Sequence, residues 1–299
     1  MYNLRFITIS VIFLFNICCY SQNMNSNSND NYTWYLKGRI IKSYYSNDIS
    51  NGIKQFDSLL LKKVNIEPDL LLKSLEMLIQ KDSIRKFLNI VQNCDSNILN
   101  YIYNNTKFCS VLLENNIECK PEKVSNEIVK KLLIEMYISD QESRGADMTK
   151  FRTKYNISLS NASESKNTDS ENTNRLKEII NSYGFPTLKM VGIDGMEAVF
   201  YLLQHSNSDI NWMESQLSNV EQSEKNGDMN KSDLAYFIDR IMTLKNNTQL
   251  YGTQFINIDF QNNSIQWIPI EDNLNLNIRR KKMNLMPIEL YSDLILSRK

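Results

Sequence analysis

The chain contains one histidine, His205, so any acid–base chemistry near neutral pH has a single imidazole to work with. It stands in Gln204-His205-Ser206-Asn207-Ser208-Asp209. Asp209 falls four residues on, where a continuing helix would let its carboxylate orient the ring and raise its pKa, as would the helix C-terminus itself. That arrangement suits a general acid or base; the plainer alternative is a histidine that caps a helix end through a ring N–H. Two acid–arginine pairs also stand out. Asp239-Arg240 lies on a helical pattern from Leu234 to Ile241 and by angle projects off its apolar stripe, the ordinary signature of a solvated surface pair. Asp140 and Arg144 have the i, i+4 spacing of a helix-face ion pair. Tyr251-Gly252-Thr253-Gln254 puts a glycine at a bend beside hydrogen-bonding side chains, which lets backbone approach a ligand or simply turns the chain. Arg279-Arg280-Lys281-Lys282 is the only basic run, a candidate anion contact or plain solvated helix charge. There is no phosphate loop, no GxSxG and no HExxH. With one histidine and no CxxC, neither a zinc site nor a cofactor is expected.

The element that must position the histidine is the stretch from Gly184 to Asp209. Three of the chain's 8 glycines, Gly184, Gly192 and Gly195, fall there with Pro186. Gly-Phe-Pro-Thr should end a preceding helix, because Gly suits the left-handed position after a helix and Pro cannot continue one. Asp194 then has the look of an N-cap. From Met196 to Leu203 only Glu197 is strongly polar, which predicts a buried helix. Met196, Val199, Phe200 and Leu203 make its main stripe, and His205 shares the second face with Ala198, Tyr201 and Leu202.

Composition bounds the rest. Residues 1–22 read as a signal peptide: Arg5 supplies the positive charge, Phe6 to Ile17 the apolar run, and Cys19 and Ser21 the small residues before a cut at Gln22. Ile17 is too large to precede a lipidated cysteine, so cleavage is favoured over lipoprotein anchoring at Cys18 or Cys19. The run is short for a membrane span, so an exported protein, periplasmic or extracellular, is expected, with no membrane association once the leader is removed. With 34 basic and 34 acidic side chains, nothing advertises nucleic acid as a partner. Beyond the leader stand Cys94, Cys109 and Cys119; three is an odd number, and one local bridge such as Cys109–Cys119 can form.

The organisation is mainly α. Residues 23–31 read as a flexible Asn/Ser leader, and residues 32–121 as a helical-hairpin module with short polar breaks. Residues 122–299 read as a helical domain carrying one small β-hairpin near 254–270, where FINIDF and IQWIPI alternate around Gln261-Asn262-Asn263-Ser264. Within it, Pro121 to Tyr155 is expected to be one long helix, Asn156 to Thr168 a loop, and Asp169 the start of the next helix.

Several fragments together resemble one bacterial family, the domain of unknown function numbered 6624. They are DQESR at 140–144, Asp169-x-x-Asn172, GFP at 184–186, VG at 191–192, QH at 204–205, DR at 239–240, YGTQ at 251–254, and RR at 279–280 followed by NLMPIELY. The similarity covers about Val124 to Leu294, and QH, DR and YGTQ in this order are its most specific part. The family has Trp where Phe185 stands, and often an acid where Asn207 stands, which throws weight onto Asp209 or Asp239 as the partner of His205. The resemblance names a domain and supplies no reaction.

These polar residues, spread over separate segments, matter either because they meet in one cleft or because they staple elements together. The first expectation is a ligand-binding or hydrolytic cleft. His205 is its acid/base, Asp239 orients the ring, and Arg240 or Arg144 holds an anionic group, with Asp140, Asn172, Gln204, Tyr251, Gln254 and Arg279 as further binding residues. The alternative is a non-enzymatic exported interaction or scaffold module in which the same groups form a structural network. A small molecule or a protein is the partner in either case.

Overall fold

The computed structural model describes residues 31–62, 64, 66–158 and 168–297. The expected signal peptide, the leader up to residue 30 and most of the Ser/Asn-rich loop lie outside the described residues. Among them are 15 α-helices and one two-stranded antiparallel hairpin. None of the helices is long and apolar enough to cross a membrane. The chain divides into two compact units. One comprises Val124–Asn257 and Gln266–Glu271; the other takes the described parts of Ile17–Lys123, Ile258–Ile265 and Asp272–Lys299.

The second unit begins with six helices: α1 (Asn31–Tyr45), α2 (Ile49–Leu61), α3 (Pro68–Gln80), α4 (Ile84–Val91), α5 (Ser96–Asn104) and α6 (Thr106–Glu114). Local chemistry sets their boundaries. Pro68 opens α3, where its missing N–H costs nothing. Asp95 accepts from Ile98 N, and Asn105 from Lys107 N and Phe108 N, so the short polar breaks are caps. The apolar stripes close on one core in which Ile40, Phe56, Leu75, Phe87, Ile102 and Leu112 are fully buried. Each such side chain contributes about 1.5–3 kcal/mol relative to exposure. Cys109 and Cys119 are bridged, with Cα atoms 5.6 Å apart; Cys94 is free, and burial pushes its thiol up to about 11.

The last helices, grouped by sequence with residues 122–299, pack in this unit too. They are α14 (Leu276–Lys282) and α15 (Ile288–Leu296). Helix α15 lies along α1: a Cβ on Gly38 would come within 2.9 Å of Leu290 Cδ1, so glycine sets the approach there. Trp34 Nε1 donates to Leu285 O at 2.8 Å, and Lys42 pairs with Asp293 at 2.6 Å. Arg280 is fully enclosed, donating from Nε to Met286 O at 2.7 Å and stacking over Tyr291.

The first unit holds α7 (Glu127–Glu142), α8 (Thr149–Tyr155), α9 (Thr168–Tyr183), α10 (Leu188–Gln204), α11 (Ile210–Ser215), α12 (Leu217–Asn226) and α13 (Lys231–Asn246). The expected single helix over 121–155 is two. Asn126 starts α7 by accepting from Val129 N, and Gly145, at φ +83°, ends it in the left-handed region. Arg152 of α8 then grips Glu142 through both carboxylate oxygens at 2.5 and 2.6 Å, fixing the corner. Gly184, at φ +81°, closes α9 as the sequence suggests. Helix α10 starts earlier than expected, with Thr187 as its cap, and is kinked at Gly192. Asp194 is accordingly no cap; its carboxylate takes Tyr155 OH and Lys154. Strands β1 (Phe255–Asp259) and β2 (Ser264–Trp267) form the hairpin where the alternation places it.

Candidate functional site

Helix α10 packs along α7, and the two carry matching stripes at helical spacing: Glu197 and Tyr201 on α10 with His205 at its C-cap, and Tyr137 and Asp140 on α7 with Arg144 just past its end. His205 is the residue that ends α10, with its N–H held by Tyr201 O at 3.0 Å. Its Nδ1 lies 2.8 Å from both carboxylate oxygens of Asp140. A carboxylate only accepts, so Nδ1 bears the hydrogen and Nε2 presents its lone pair. Nε2 has no protein hydrogen bond among the described residues. The imidazole keeps 12% exposure while Asp140 keeps 1%.

Asp140 is held by two further side chains. Arg144 Nη1 donates to its Oδ1 and to its backbone O, both at 2.9 Å, and Gln141 Nε2 donates to Oδ2 at 2.8 Å. Arg144 Nη2 reaches across to Asp169 Oδ1 at 2.7 Å, tying the first turn of α9 to α7. Asn172 reinforces that junction by donating to Met136 O at 3.3 Å. The result is a chain of opposite charges, Asp169–Arg144–Asp140, that ends on the imidazole. The helix-face ion pair expected of Asp140 and Arg144 is therefore a buried one.

The expected partners of His205 are placed elsewhere. Asp209 accepts from Lys177 at 2.7 Å and caps α11 through Trp212 N at 3.0 Å. Asp239 is not a surface group and does not orient the ring. It is fully buried, and its two oxygens take Leu250 N, Tyr251 N, Thr253 N and Thr253 Oγ1 at 2.7 to 3.2 Å. Burial raises its pKa, and those four donors oppose the rise. Gln249 completes the staple, donating to Gln254 O and Ile268 O at 2.7 and 2.8 Å and accepting from Gln254 N at 2.8 Å. The Tyr251–Gln254 turn, with Gly252 at φ +64°, is thus built around two side chains. The Gln254 amide donates to Thr253 Oγ1 at 3.1 Å. Arg279 belongs to the other unit, where it binds Asp272.

Gln204, Arg240 and Ser223 of the first unit each keep a buried donor without a partner among the described residues. Gln204 is 4% exposed and its Nε2 is buried without an acceptor. Arg240, half-buried on α13, has its Nε buried without a partner and forms no ion pair among the described residues. Burial first, then the charge of Arg144, lowers its pKa to about 10, with Asp169 opposing.

Residues that the sequence reading left unassigned line the same two helices. Tyr137 donates to Glu197 Oε1 at 3.0 Å, stacks on Tyr201 at 5.3 Å between centroids, and Tyr201 lies 6.2 Å from the His205 ring. Glu197 Oε2 is buried with no hydrogen bond; burial, then the charge of Asp194, holds its pKa well above an ordinary glutamate's. The signal was present: one acid in the apolar run from Met196 to Leu203, two turns before the only histidine.

The unit is mainly helical, with a histidine oriented by a buried carboxylate, and the comparison with families gives its class. A family model described as "Family of unknown function (DUF6624)" matches residues 131–297, more than half of the 299, and the chain belongs to that family. No curated protein and no solved structure matches it.

Proposed function

We propose that the protein is exported and that its first unit is a ligand-binding, hydrolytic site in which His205 is the acid–base group. The observation that carries this reading is the position of His205 Nδ1, 2.8 Å from both oxygens of Asp140, which leaves Nε2 with the free lone pair. A base of this kind takes a proton from a water as its oxygen attacks the substrate, and returns it to the leaving group; Asp140 steadies the imidazolium between the two steps. The N-terminal leader and the Cys109–Cys119 bridge support an oxidising, extracytoplasmic location.

The other reading is a non-enzymatic interaction module in which these groups are architecture. The saturation of Asp140 by Arg144 and Gln141, and the bridge to Asp169, favour it. The single imidazole separates the two. On the native full chain, His205 is expected to react with diethyl pyrocarbonate at a rate within about tenfold of free imidazole, because its Nε2 carries the lone pair. His205→Ala is expected to remove hydrolysis of nitrophenyl ester or phosphate probes while lowering stability by less than about 1 kcal/mol. A ring that reacts only on unfolding, with a stability loss of about 1–3 kcal/mol for the alanine variant, gives the residue to the architecture.

A further inference from the structure

We infer that Arg240 and Gln204 form a receptor for an oxyanion, a carboxylate or phosphate group of the ligand, beside His205; this rests on the reading of His205 as a ligand site. An acceptor is missing around both side chains. Each presents a buried N–H with no acceptor among the described residues, although buried donors are nearly always matched. Gln204 is more than nine-tenths buried, so water does not satisfy it as it would a surface amide.

Gln204 is the last residue of α10, and Arg240 lies in the second half of α13. Helices α10 and α13 pack on each other, and Phe200 meets Tyr236 edge to face at 6.4 Å between centroids. Gln204 and Arg240 each follow one turn further on, and Arg240 feels the charge of Arg144, which holds Asp140 and through it His205.

The arginines are not equivalent. Arg144 is committed to two carboxylates, Asp140 and Asp169, so the sequence-level choice between Arg144 and Arg240 as anion holder falls to Arg240. Arg240 forms no ion pair among the described residues, and the carboxylate whose charge it feels, Asp169, is already bonded to Arg144. The planar fork of Arg240 matches the two oxygens of a carboxylate or phosphate, and the Gln204 amide offers another neutral donor. The same geometry explains why Arg280, which has Met286 O and the Tyr291 ring, is no candidate.

The test uses the full chain with inorganic phosphate and acetate as probes, read by calorimetric titration and by the thermal midpoint. Wild type is expected to bind at least one of them and to be stabilised in a saturable way; which of the two binds tells phosphate from carboxylate. Arg240→Met should weaken that binding about ten- to hundredfold, Arg240→Lys should recover only part, and Gln204→Leu should weaken it less. Without anion, Arg240→Met should melt no lower than wild type, because it removes an unmatched charge; this shows that the variant folds. Saturable binding that persists in Arg240→Met, or no stabilisation by either anion, overturns the inference. Reactivity of His205 toward diethyl pyrocarbonate is scored separately. An unreactive ring alongside Arg240-dependent anion binding sinks the acid–base reading and leaves the anion receptor standing.

Discussion

The six N-terminal helices bury mainly carbon, with Lys73 and Asp69 as an enclosed ion pair, whereas α7, α9, α10 and α13 bury charge at several points. In the first region the fully enclosed side chains are Ile40, Phe56, Leu75, Phe87 and their neighbours, and the polar breaks between helices are caps. In the second, two carboxylates, Asp140 and Asp239, are completely shielded from solvent. A domain of this size does not need such groups to fold, since apolar residues of equal volume serve as well or better. A second comparison, between the two carboxylates, shows what they are for. Every donor to Asp239 belongs to one turn, Leu250 to Thr253, and none of them titrates near neutral pH. The donors to Asp140 include the imidazole and a guanidinium shared with a third element. The first carboxylate holds a loop; the second holds the imidazole.

The contrast breaks most sharply at Asp140. Asp140→Ala is expected to cost about 3–5 kcal/mol, because it strands Arg144 and the His205 N–H in a buried setting. Leu75→Ala in the N-terminal core should cost a comparable 2–5 kcal/mol through its cavity. The two differ in what else moves. Only Asp140→Ala should change the reactivity of His205 with diethyl pyrocarbonate, because only it alters which ring nitrogen carries the hydrogen. Chemical denaturation with the reactivity assay on both variants measures the difference; equal reactivity in both would mean that Asp140 does not orient the ring.

Asp239→Asn is the intermediate case. The amide keeps one acceptor and turns an N–H toward the donors of the turn, so a loss of about 1–3 kcal/mol is expected. Amide exchange of Tyr251 and Thr253 should quicken with it, and the reactivity of His205 should stay at the wild-type level. A change at the histidine would join the two carboxylates into one network and erase the distinction between them.

How much of this was legible in the sequence depends on the range of the interaction. The glycine ending α9, the hairpin and the inward stripes are local, and the pattern placed them; the cap expected at Asp194 fails because α10 begins at Thr187. The Asp140–His205 contact joins residues 65 apart, and no periodicity selects one acid among Asp140, Asp209 and Asp239 at that range. Asp239 was misjudged for a related reason. Its angle off the stripe of α13 is real, but that side of the helix is covered by the 249–254 turn, which no helical projection contains. The break in the 121–155 helix was readable at Gly145, and the family fragments supplied the residues that long-range contact brings together.

The smallest effect concerns Glu197, where charge is buried without being used by the dyad. Its raised pKa means that the folded state holds a proton which the unfolded chain releases near the ordinary value of 4.5. The folded state therefore binds more protons above that pH, and stability falls as pH rises. The contribution is complete below about 4.5, and it is lost as pH climbs toward the folded value. Glu197→Gln keeps a carbonyl for Tyr137 OH and cannot ionise. The variant should match wild type at pH 4 within about 1 kcal/mol and pull ahead of it as pH rises to 7. Urea denaturation at a series of pH values measures this. Parallel profiles for the two proteins would mean that Glu197 is ionised in the fold, and that the α7–α10 seam holds one more charge than its partners explain.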